Sequence, residues 1–318
     1  MAIVRVALPV PLPQVFDYTA EDAGAEDVGR CVKVPFGRGE RTGLIVGLGD
    51  EAAVEAARLK AVLHIQRGVP PLPADWLELV GFVARYYHAP LGEVVALALP
   101  PGLRRADGVS DEDEDPLLGI TAEGREALAP GRRASRALTL LQALAEGAGP
   151  WRRSVIRARD GGEAVGELLR RGWLEIVADP GARHEAGAQP LATPEQAAAV
   201  EVIVGAGMRF RPWLLHGVTG SGKTEVYLRL AAHALAQGRQ VLMLVPEIAL
   251  TPQLEQRVAQ RFAAANVVSL HSALADGARS RGFVQALSGR ADIVLGTRLA
   301  VFAPLPRLGL ILVDEEHD

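Results

Sequence analysis

The chain has 318 residues, with 34 Lys or Arg against 38 Asp or Glu, so its formal net charge is −4. This balance excludes a protein that binds nucleic acid through overall positive charge, but it allows a local basic surface. A single cysteine, Cys31, excludes an internal disulfide framework and a cysteine-rich zinc module in these residues, so we expect no zinc. No apolar run reaches the roughly 18 residues of a membrane helix. Prolines interrupt the short apolar start, so we expect a mature, cytoplasmic, globular, monomeric protein.

Residues 1–105 mix short strand-like runs with Pro and Gly turns. β-branched residues cluster or alternate in three runs, and each run predicts a strand: IVRVALPV, GRCVKVPF and RTGLIVGLG. Helices are predicted over 51–58 and 74–88. In the second helix, the spacing predicts one apolar face formed by Trp76, Leu79, Val80, Val83 and Tyr87.

Residues 106–185 open with the acidic run DEDED at 111–115, which is typical of a solvated loop. Three helices are predicted next, and in the second of them Leu138, Leu141 and Leu144 share a face. The run WLEIV at 173–177 predicts a strand. Three short helices followed by a strand pair indicate a winged-helix module, although any small helical domain would show the same pattern.

Residues 186–318 alternate apolar strand-like runs with amphipathic helices. Continuous apolar strands between helices predict a parallel sheet that is covered on both faces. The predicted strands are WLLHG (213–217), QVLMLVP (240–246), VVSLHS (267–272), ADIVLGT (291–297) and LGLILVDEE (308–316).

The strongest motif is the phosphate-binding pattern G-x-x-x-x-G-K-[ST], which the sequence matches in full. Its glycines allow successive backbone amides to converge on phosphate oxygens at the start of a helix. Lys223 would reach the β- and γ-phosphates, and Thr224 would offer its hydroxyl to Mg²⁺. The alternative to a phosphate-binding loop is a glycine-rich turn that matches the pattern by chance. The candidate nucleotide-binding residues are Gly217, Val218, Thr219, Gly220, Ser221, Gly222, Lys223 and Thr224.

A carboxylate site is predicted in ILVDEEHD at 311–318. Four apolar residues lead into Asp314, so its side chain would emerge at the carboxyl end of a strand, where open α/β sheets bind ligands. We expect Asp314 to hold Mg²⁺ and Glu315 to orient or deprotonate the attacking water. The alternative is a solvated acidic tail.

These motifs together resemble a known family. DEEH after GVTGSGKT is the pattern of superfamily 2 helicases, in its DEAH-like form. With LVPEIALTPQ, LHS and GTRLAVFAPL, it is similar to the PriA family of primosomal replication-restart helicases, also called primosomal protein N′. ALPVPLPQVFDY, VGRCVKVPFG and ARYYHAPLGEV resemble the N-terminal domain of that family. The resemblance spans the chain and is weakest over 106–185.

The resemblance implies an α/β multidomain fold. Its expected parts are a β-rich domain that binds DNA 3′ ends at 1–105, a winged-helix domain at 106–185, and a RecA-like first helicase lobe at 186–318. In the family, a zinc-binding insertion, a second lobe and a C-terminal domain follow, and we expect none of them within these 318 residues.

The resemblance also implies DNA-binding residues. A pocket for a free 3′-OH would comprise Phe16, Asp17, Tyr18, Gly37 and Lys60. In it, Phe16 or Tyr18 could stack on a terminal base, and Asp17 could accept a hydrogen bond from the hydroxyl. The alternative is a strand end with two core aromatic residues and one capping carboxylate.

Further family positions fall in the third segment. Gln196 would read adenine. Gly296, Thr297 and Arg298 would grip the backbone of single-stranded DNA. The roles of Glu247, His271 and His317 stay open. In the second segment, a basic cluster could contact phosphates or form a solvated helix face: Arg152, Arg153, Arg157 and Arg159.

The implied function is ATP- and Mg²⁺-dependent 3′→5′ DNA unwinding during replication restart. The implied ligands are branched and single-stranded DNA, and the implied partners are single-stranded-DNA-binding protein and other primosome proteins at the nucleoid. Without a second lobe and its arginine finger, we expect this chain to bind fork DNA, to bind nucleotide weakly and not to unwind. The alternative is a fork-binding primosome loader without motor activity. A P-loop kinase fits the glycine loop but not DEEH or GTRLAVF.

Overall fold

In the computed structural model, the chain forms two compact units, residues 1–110 with 183–318 and residues 111–182. The structure describes residues 2–49, 51, 59–104, 117–128, 135–147, 151–152, 156, 162–177, 191–207, 209–218 and 220–315. The acidic run 111–115 and nearly all of the helix predicted at 51–58 lie outside these ranges. The division into three domains stays a prediction.

The N-terminal part of the first unit is a five-stranded antiparallel sheet with the order β2-β1-β4-β3-β5. The three predicted strands are confirmed, and Val4, Val6, Val32 and Val34 are fully buried on them. This alternation arises because side chains on a strand point to opposite faces in turn. The strands are β1 Ala2–Ala7, β2 Phe16–Ala20, β3 Cys31–Phe36, β4 Gly39–Gly49 and β5 His64–Ile65.

Two helices follow this sheet, α1 Ala74–Tyr86 and α2 Leu91–Ala98, and then a 3₁₀ turn at Pro101–Arg104. The predicted helix is confirmed, with Trp76 and Val80 buried. The expectation that Tyr87 shares the apolar face is wrong, since that side chain is 70% exposed. The backbone leaves the helix there, because Tyr87 is the C-cap and the next residue has a φ of +53°.

Among its described residues, the second unit combines an antiparallel sheet with helices. The strands β6 Leu117–Ile120, β7 Trp151–Arg152 and β8 Leu174–Val177 take the order β7-β6-β8. The helices α3 Ala122–Glu126, α4 Arg136–Ala145 and α5 Gly162–Arg170 match the predicted ones. The predicted order is wrong, since strands lie before, between and after the helices rather than as a closing pair. On α4, Leu141 and Leu144 are buried as predicted.

The C-terminal part of the first unit is a four-stranded parallel sheet with the order β10-β11-β9-β12. The parallel sheet and four of its predicted strands are thereby confirmed. The strands are β9 Gln240–Leu244, β10 Val267–Leu270, β11 Ile293–Gly296 and β12 Leu308–Val313. The helices are α6 Pro194–Gly205, α7 Lys223–Ala236, α8 Pro252–Arg261 and α9 Asp276–Leu287, and a 3₁₀ helix spans Arg298–Phe302.

The strand predicted at 213–217 is wrong. Residues 209–218 form no regular element, and Trp213 and Leu214 are 42% and 75% exposed. A strand is stable only where a neighbour takes up its backbone hydrogen bonds. Among the described strands, none pairs with this run, and β12 at the sheet edge pairs with β9 alone.

Candidate nucleotide- and DNA-binding sites

The phosphate-loop sequence forms a tight turn that leads into α7. Gly220 and Gly222 have φ values of +82° and +87°, a region that L side chains rarely adopt and glycine adopts freely. Gly222 is the N-cap of α7, so the first amides of that helix face the loop. Thr219 lies outside the described residues.

The lysine of this loop contacts the loop itself. Lys223 Nζ donates to the carbonyl oxygen of Gly217 over 2.7 Å and lies 3.5 Å from that of Val218. The ammonium thus closes the turn that the glycines open. A phosphate bound by the loop amides would compete with these carbonyls for the lysine.

The acidic residue after β12 lies beside the phosphate-loop helix. The amide of Asp314 donates to Leu244 O over 2.9 Å, which extends the ladder between β12 and β9. Tyr227 is 8% exposed, and its hydroxyl lies near the Asp314 carboxylate. Burial, with the nearby charge of Asp314 second, raises the pKa of Tyr227 to about 12. Because Lys223 and Tyr227 are one turn apart on α7, the loop and the carboxylate meet at the carboxyl edge of the sheet.

Two further candidate residues take up positions at this edge. Thr224 is half-buried as the second residue of α7. Glu315 is exposed and has a φ of +55°, which costs a non-glycine residue about 1–2 kcal/mol. Strained residues of this kind cluster at active sites.

Gln196 lies at the start of α6 and contacts the phosphate loop. Its Oε1 accepts from the amide of Thr193 over 2.9 Å, which completes a capping box with the Thr193 hydroxyl. Its Nε2 donates to Gly222 O over 3.4 Å. The amide predicted to read adenine is therefore held next to the loop by the helix cap.

A buried ion cluster that the sequence analysis missed joins α7 to α8. Glu225 is 7% exposed, and its Oε1 lies 2.8 Å from Arg229 Nε and 3.2 Å from Arg261 Nη2. The i,i+4 spacing of Glu225 and Arg229 was the available signal. The contact with Arg261 could not be predicted, since it crosses between helices.

The loops after β9, β10 and β11 reach the same edge of the sheet. Thr297 N donates to Leu270 O over 3.3 Å, and a Cβ at Gly296 would meet that oxygen at 2.3 Å, so only glycine fits there. Ser272 Oγ donates to Glu247 Oε1 over 3.3 Å. Arg298 is exposed. Gly296, Thr297 and Arg298, which are expected to contact a DNA strand and are here called the strand-contact residues, therefore lie at the same edge of the sheet as the candidate nucleotide site.

The structure gathers three of the candidate 3′-end residues around β2. The Phe16 ring meets the Phe36 ring edge to face at 5.2 Å. Gly37, next in the chain, has a φ of +61° in the turn between β3 and β4. Lys60 O accepts from Thr19 N over 2.9 Å, which places Lys60 beside β2.

Tyr18 and Asp17 differ from the expectation. Tyr18 is 5% exposed in the core and donates its hydroxyl to Pro35 O over 3.2 Å, so the expectation that it could stack on a base is wrong in this structure. Half-buried Phe16 is the ring that can do so. By strand alternation Asp17 points to the face opposite Phe16, and it pairs in register with Arg5.

Other predicted positions lie outside what the structure describes: Arg153, Arg157, Arg159, His317 and the side chain of Arg152. Within the described ranges, no group of His, Cys, Asp and Glu could hold a metal ion by itself. No helix in those ranges is long and apolar enough to cross a membrane.

Comparison with known families matches the two parts of the first unit separately. Residues 5–100 match the 3′ DNA-binding domain (3′BD) of PriA. Residues 193–318 match the DEAD/DEAH box helicase family. The first match covers the sheet that carries the candidate 3′-end residues, and the second covers the phosphate loop and Asp314.

Curated relatives carry the description replication restart protein PriA. The protein of Haemophilus influenzae is 38% identical over 100% of this chain and 44% of its own length. That of Treponema pallidum is 50% identical over 39% of this chain and 19% of its own length. That of Bacillus subtilis is 40% identical over 48% of this chain and 19% of its own length. The chain therefore spans less than half the length of these relatives.

Proposed function

Since the chain belongs to the PriA family of replication-restart proteins, we propose that it is the part of a restart helicase that binds DNA forks and nucleotide. In the whole protein, ATP hydrolysis would drive unwinding in the 3′→5′ direction. By itself, this chain would bind fork DNA and bind nucleotide weakly, without unwinding.

One observation supports the nucleotide half of this proposal above the others. The helix that starts at Lys223 carries Tyr227, whose hydroxyl lies near the Asp314 carboxylate. A cationic glycine loop and an acidic residue at the carboxyl edge of a parallel sheet are the two parts that P-loop NTPases use to bind a nucleotide with magnesium.

We assign the roles at this site as follows. The loop amides and Lys223 bind the phosphates, and the Thr224 hydroxyl and the Asp314 carboxylate hold Mg²⁺. The metal ion supplies positive charge that neutralises the phosphate oxygens. Glu315 orients the attacking water and accepts its proton. Gln196 pairs with the adenine edge.

The DNA half of the proposal rests on the first sheet and on the loops of the second. Asp17 accepts from the 3′-OH, and Lys60 meets a phosphate, while Phe16, on the other face of the edge strand β2, stacks on a base. Gly37 allows the backbone to approach closely. Thr297 and Arg298 donate to the backbone of a single strand. Residues 106–185 act as a winged helix on the duplex arms.

The partners we propose are branched DNA, single-stranded DNA, single-stranded-DNA-binding protein and other primosome proteins. In the cell, the chain would work in the cytoplasm at the nucleoid. The protein partners are proposed on the basis of the family alone.

Fluorescence anisotropy with two fork DNAs tests the DNA half. One fork carries a free 3′-OH at the branch, and the other carries a 3′-phosphate there. We expect about tenfold tighter binding of the free end, since one hydrogen bond to a charged acceptor is worth about 1.5 kcal/mol or more.

The variant Asp17→Ala should remove this preference, while Glu21→Ala, an exposed carboxylate just beyond β2, should keep it. Equal affinity of the wild type for the two forks would contradict the proposed 3′-end pocket.

A further inference from the structure

Two parts of the chain that lie far apart in the sequence share one buried cluster. The helices α1 and α2 contribute Trp76, Val80 and Val95 to it. The helix α9 and the 3₁₀ helix after β11 contribute Phe283, Leu287 and Phe302. The segment with the 3′-end sheet and the segment with the strand-contact loop are therefore packed against each other over a common core.

Residues 101–104 extend this close packing. A Cβ at Gly102 would lie 2.3 Å from Ser280 Oγ. Ser280 is 1% exposed, and its hydroxyl donates to Asp276 O in the same helix over 2.9 Å, so it is held in place. The backbone at Gly102 therefore lies directly against α9.

One hydrogen bond crosses this cluster. Trp76 Nε1 donates to Phe302 O over 2.7 Å, between residues that are 226 positions apart, and both are buried. An indole has a single donor, and a buried carbonyl that loses its donor is costly. The bond therefore fixes the last residue of the 3₁₀ helix.

The same 3₁₀ helix carries at its other end Arg298, the arginine that is expected to contact a DNA strand. It begins at Arg298, and the sheet edge holds its start, since Thr297 N donates to Leu270 O and Ala300 N donates to Thr297 O. With a rise of about 2 Å per residue, Arg298 lies about 8 Å from Phe302. The backbone of Arg298 is thus held between β11 on one side and Trp76 on the other.

We propose that Trp76 is a positioning residue for the contact between Arg298 and DNA. It acts through the Phe302 carbonyl and holds the strand-contact segment at a fixed place relative to the 3′-end sheet. This inference rests on the proposed function, because the Arg298 contact with a DNA backbone is part of that proposal. A DNA strand that reached both sites would be bound within one compact unit.

A double-mutant cycle on the affinity for single-stranded DNA tests the coupling. The probe is a labelled oligothymidine that ends in a 3′-phosphate, so that the 3′-end pocket makes no contribution. We expect Arg298→Ala to weaken binding about tenfold, the effect of losing a phosphate contact of about 1.4 kcal/mol. Trp76→Phe, which keeps an aromatic ring but removes the donor, should weaken it about fivefold. The double variant should bind like Arg298→Ala alone.

A control variant and a second readout separate positioning from stability. Ile45→Val removes a methyl group from a different buried cluster of the same unit, and it should leave the DNA affinity unchanged. In Trp76→Phe, amide exchange should accelerate at Ala300 and Ala303, which lie in and just after the 3₁₀ helix.

The outcomes are distinguishable. The inference would be overturned if Trp76→Phe bound single-stranded DNA with wild-type affinity, or if the losses of binding free energy in the two single variants added in full in the double variant. Either result would leave the proposed contact between Arg298 and DNA intact. A wild-type affinity for Arg298→Ala would overturn the strand contact itself, and the inference with it. The comparison of forks with free and blocked 3′ ends is independent of both.

Discussion

Tyr227 is the residue through which the phosphate-loop helix contacts the candidate metal ligand. Tyr227→Phe removes only the hydroxyl that lies near the Asp314 carboxylate. Because such partners orient a ligand carboxylate, their loss typically costs 10–100-fold in metal affinity. We expect the Mg²⁺ concentration that half-saturates binding of a fluorescent ATP analogue to rise by about tenfold.

The control for this prediction is Tyr86→Phe, a tyrosine on α1 that is 65% exposed. Its magnesium dependence should match the wild type. If Asp314→Asn shifts the magnesium dependence and Tyr227→Phe does not, the positioning role of Tyr227 is contradicted.

Asp27 gives the first sheet a pH-dependent contribution to stability. Its carboxylate is fully buried and accepts from Arg67 Nε over 3.0 Å and from the Gly24 amide over 3.2 Å. These bonds hold the pKa of Asp27 below its usual range, Arg67 being the main cause. Because the folded pKa lies below the unfolded value of about 3.9, this stability is present above that pH and is lost as the pH falls through the folded pKa.

Asp27→Asn should therefore lower the free energy of unfolding at pH 7 by about 2 kcal/mol, a value typical for bonds to a charged group. Urea denaturation at pH 7 and near pH 3 measures this, and the gap to the wild type should narrow in acid. Asp22→Asn, at the exposed second carboxylate on Arg67, should have little effect. An equal gap at both pH values would contradict the account.

Among single residues, the sequence predicted those whose role depends on their immediate neighbours in the chain. The phosphate loop could be predicted because its glycines meet a backbone requirement, seen in the positive φ of Gly220 and Gly222. The burial of Tyr18 and the proximity of Tyr227 to Asp314 could not be predicted, since each depends on which neighbour the fold brings close.

At the start of α6, the helix cap holds the side chain that is proposed to recognise adenine. Gln196 caps the helix with its Oε1, while its Nε2 lies at the phosphate loop. Gln196→Glu keeps the capping acceptor but replaces the donor that adenine N7 or N1 would need. We expect the preference for ATP over GTP to fall about tenfold with little change in stability.

Thr193→Ala is the matched variant, because it removes the hydroxyl of the capping box and leaves the amide of Gln196 intact. It should lower stability by about 1 kcal/mol and keep the ATP preference. A wild-type ATP preference in Gln196→Glu, measured by competition binding, would rule out the adenine contact.

The strands that could be predicted are those whose burial agrees with their hydrophobic pattern. Apart from Gln240 at the start of β9, the strands β9 and β11 are apolar, and both are almost wholly buried, as a covered parallel sheet requires. The run 213–217 is also mostly apolar but has no partner strand among the described residues, so its apolar composition alone led to a wrong prediction. Strand β6 was not predicted, because it is only four residues long and directly precedes α3.

Across the whole molecule, the sequence could not reveal that residues 1–110 and 183–318 pack as one unit. The bond from Trp76 to Phe302 spans 226 positions, and no local pattern marks it. We expect Leu103→Ala, in the shared cluster, to cost about 2–5 kcal/mol. Hydrogen exchange should then accelerate both at Val32 in β3 and at Val241 in β9, because the first sheet contributes Ala7 and Leu44 to that core, and α9, which packs against the parallel sheet, contributes Phe283 and Leu287.

Acceleration on only one of these strands would show that the parts unfold separately and would contradict a common core. Val165→Ala, in the cluster of the second unit, is the matched control. It should leave exchange at Val32 and Val241 at the wild-type rate.

The most direct test of a nucleotide site at the edge of the parallel sheet is calorimetric titration of this chain with a slowly hydrolysed ATP analogue and Mg²⁺. We predict magnesium-dependent binding that Lys223→Ala weakens by at least about tenfold. Lys33→Ala, at a lysine paired with Glu40 on the first sheet, should leave it unchanged. Wild-type binding by Lys223→Ala, or no binding by the wild type, would contradict the account, and the second result would favour a fork-binding loader without a motor.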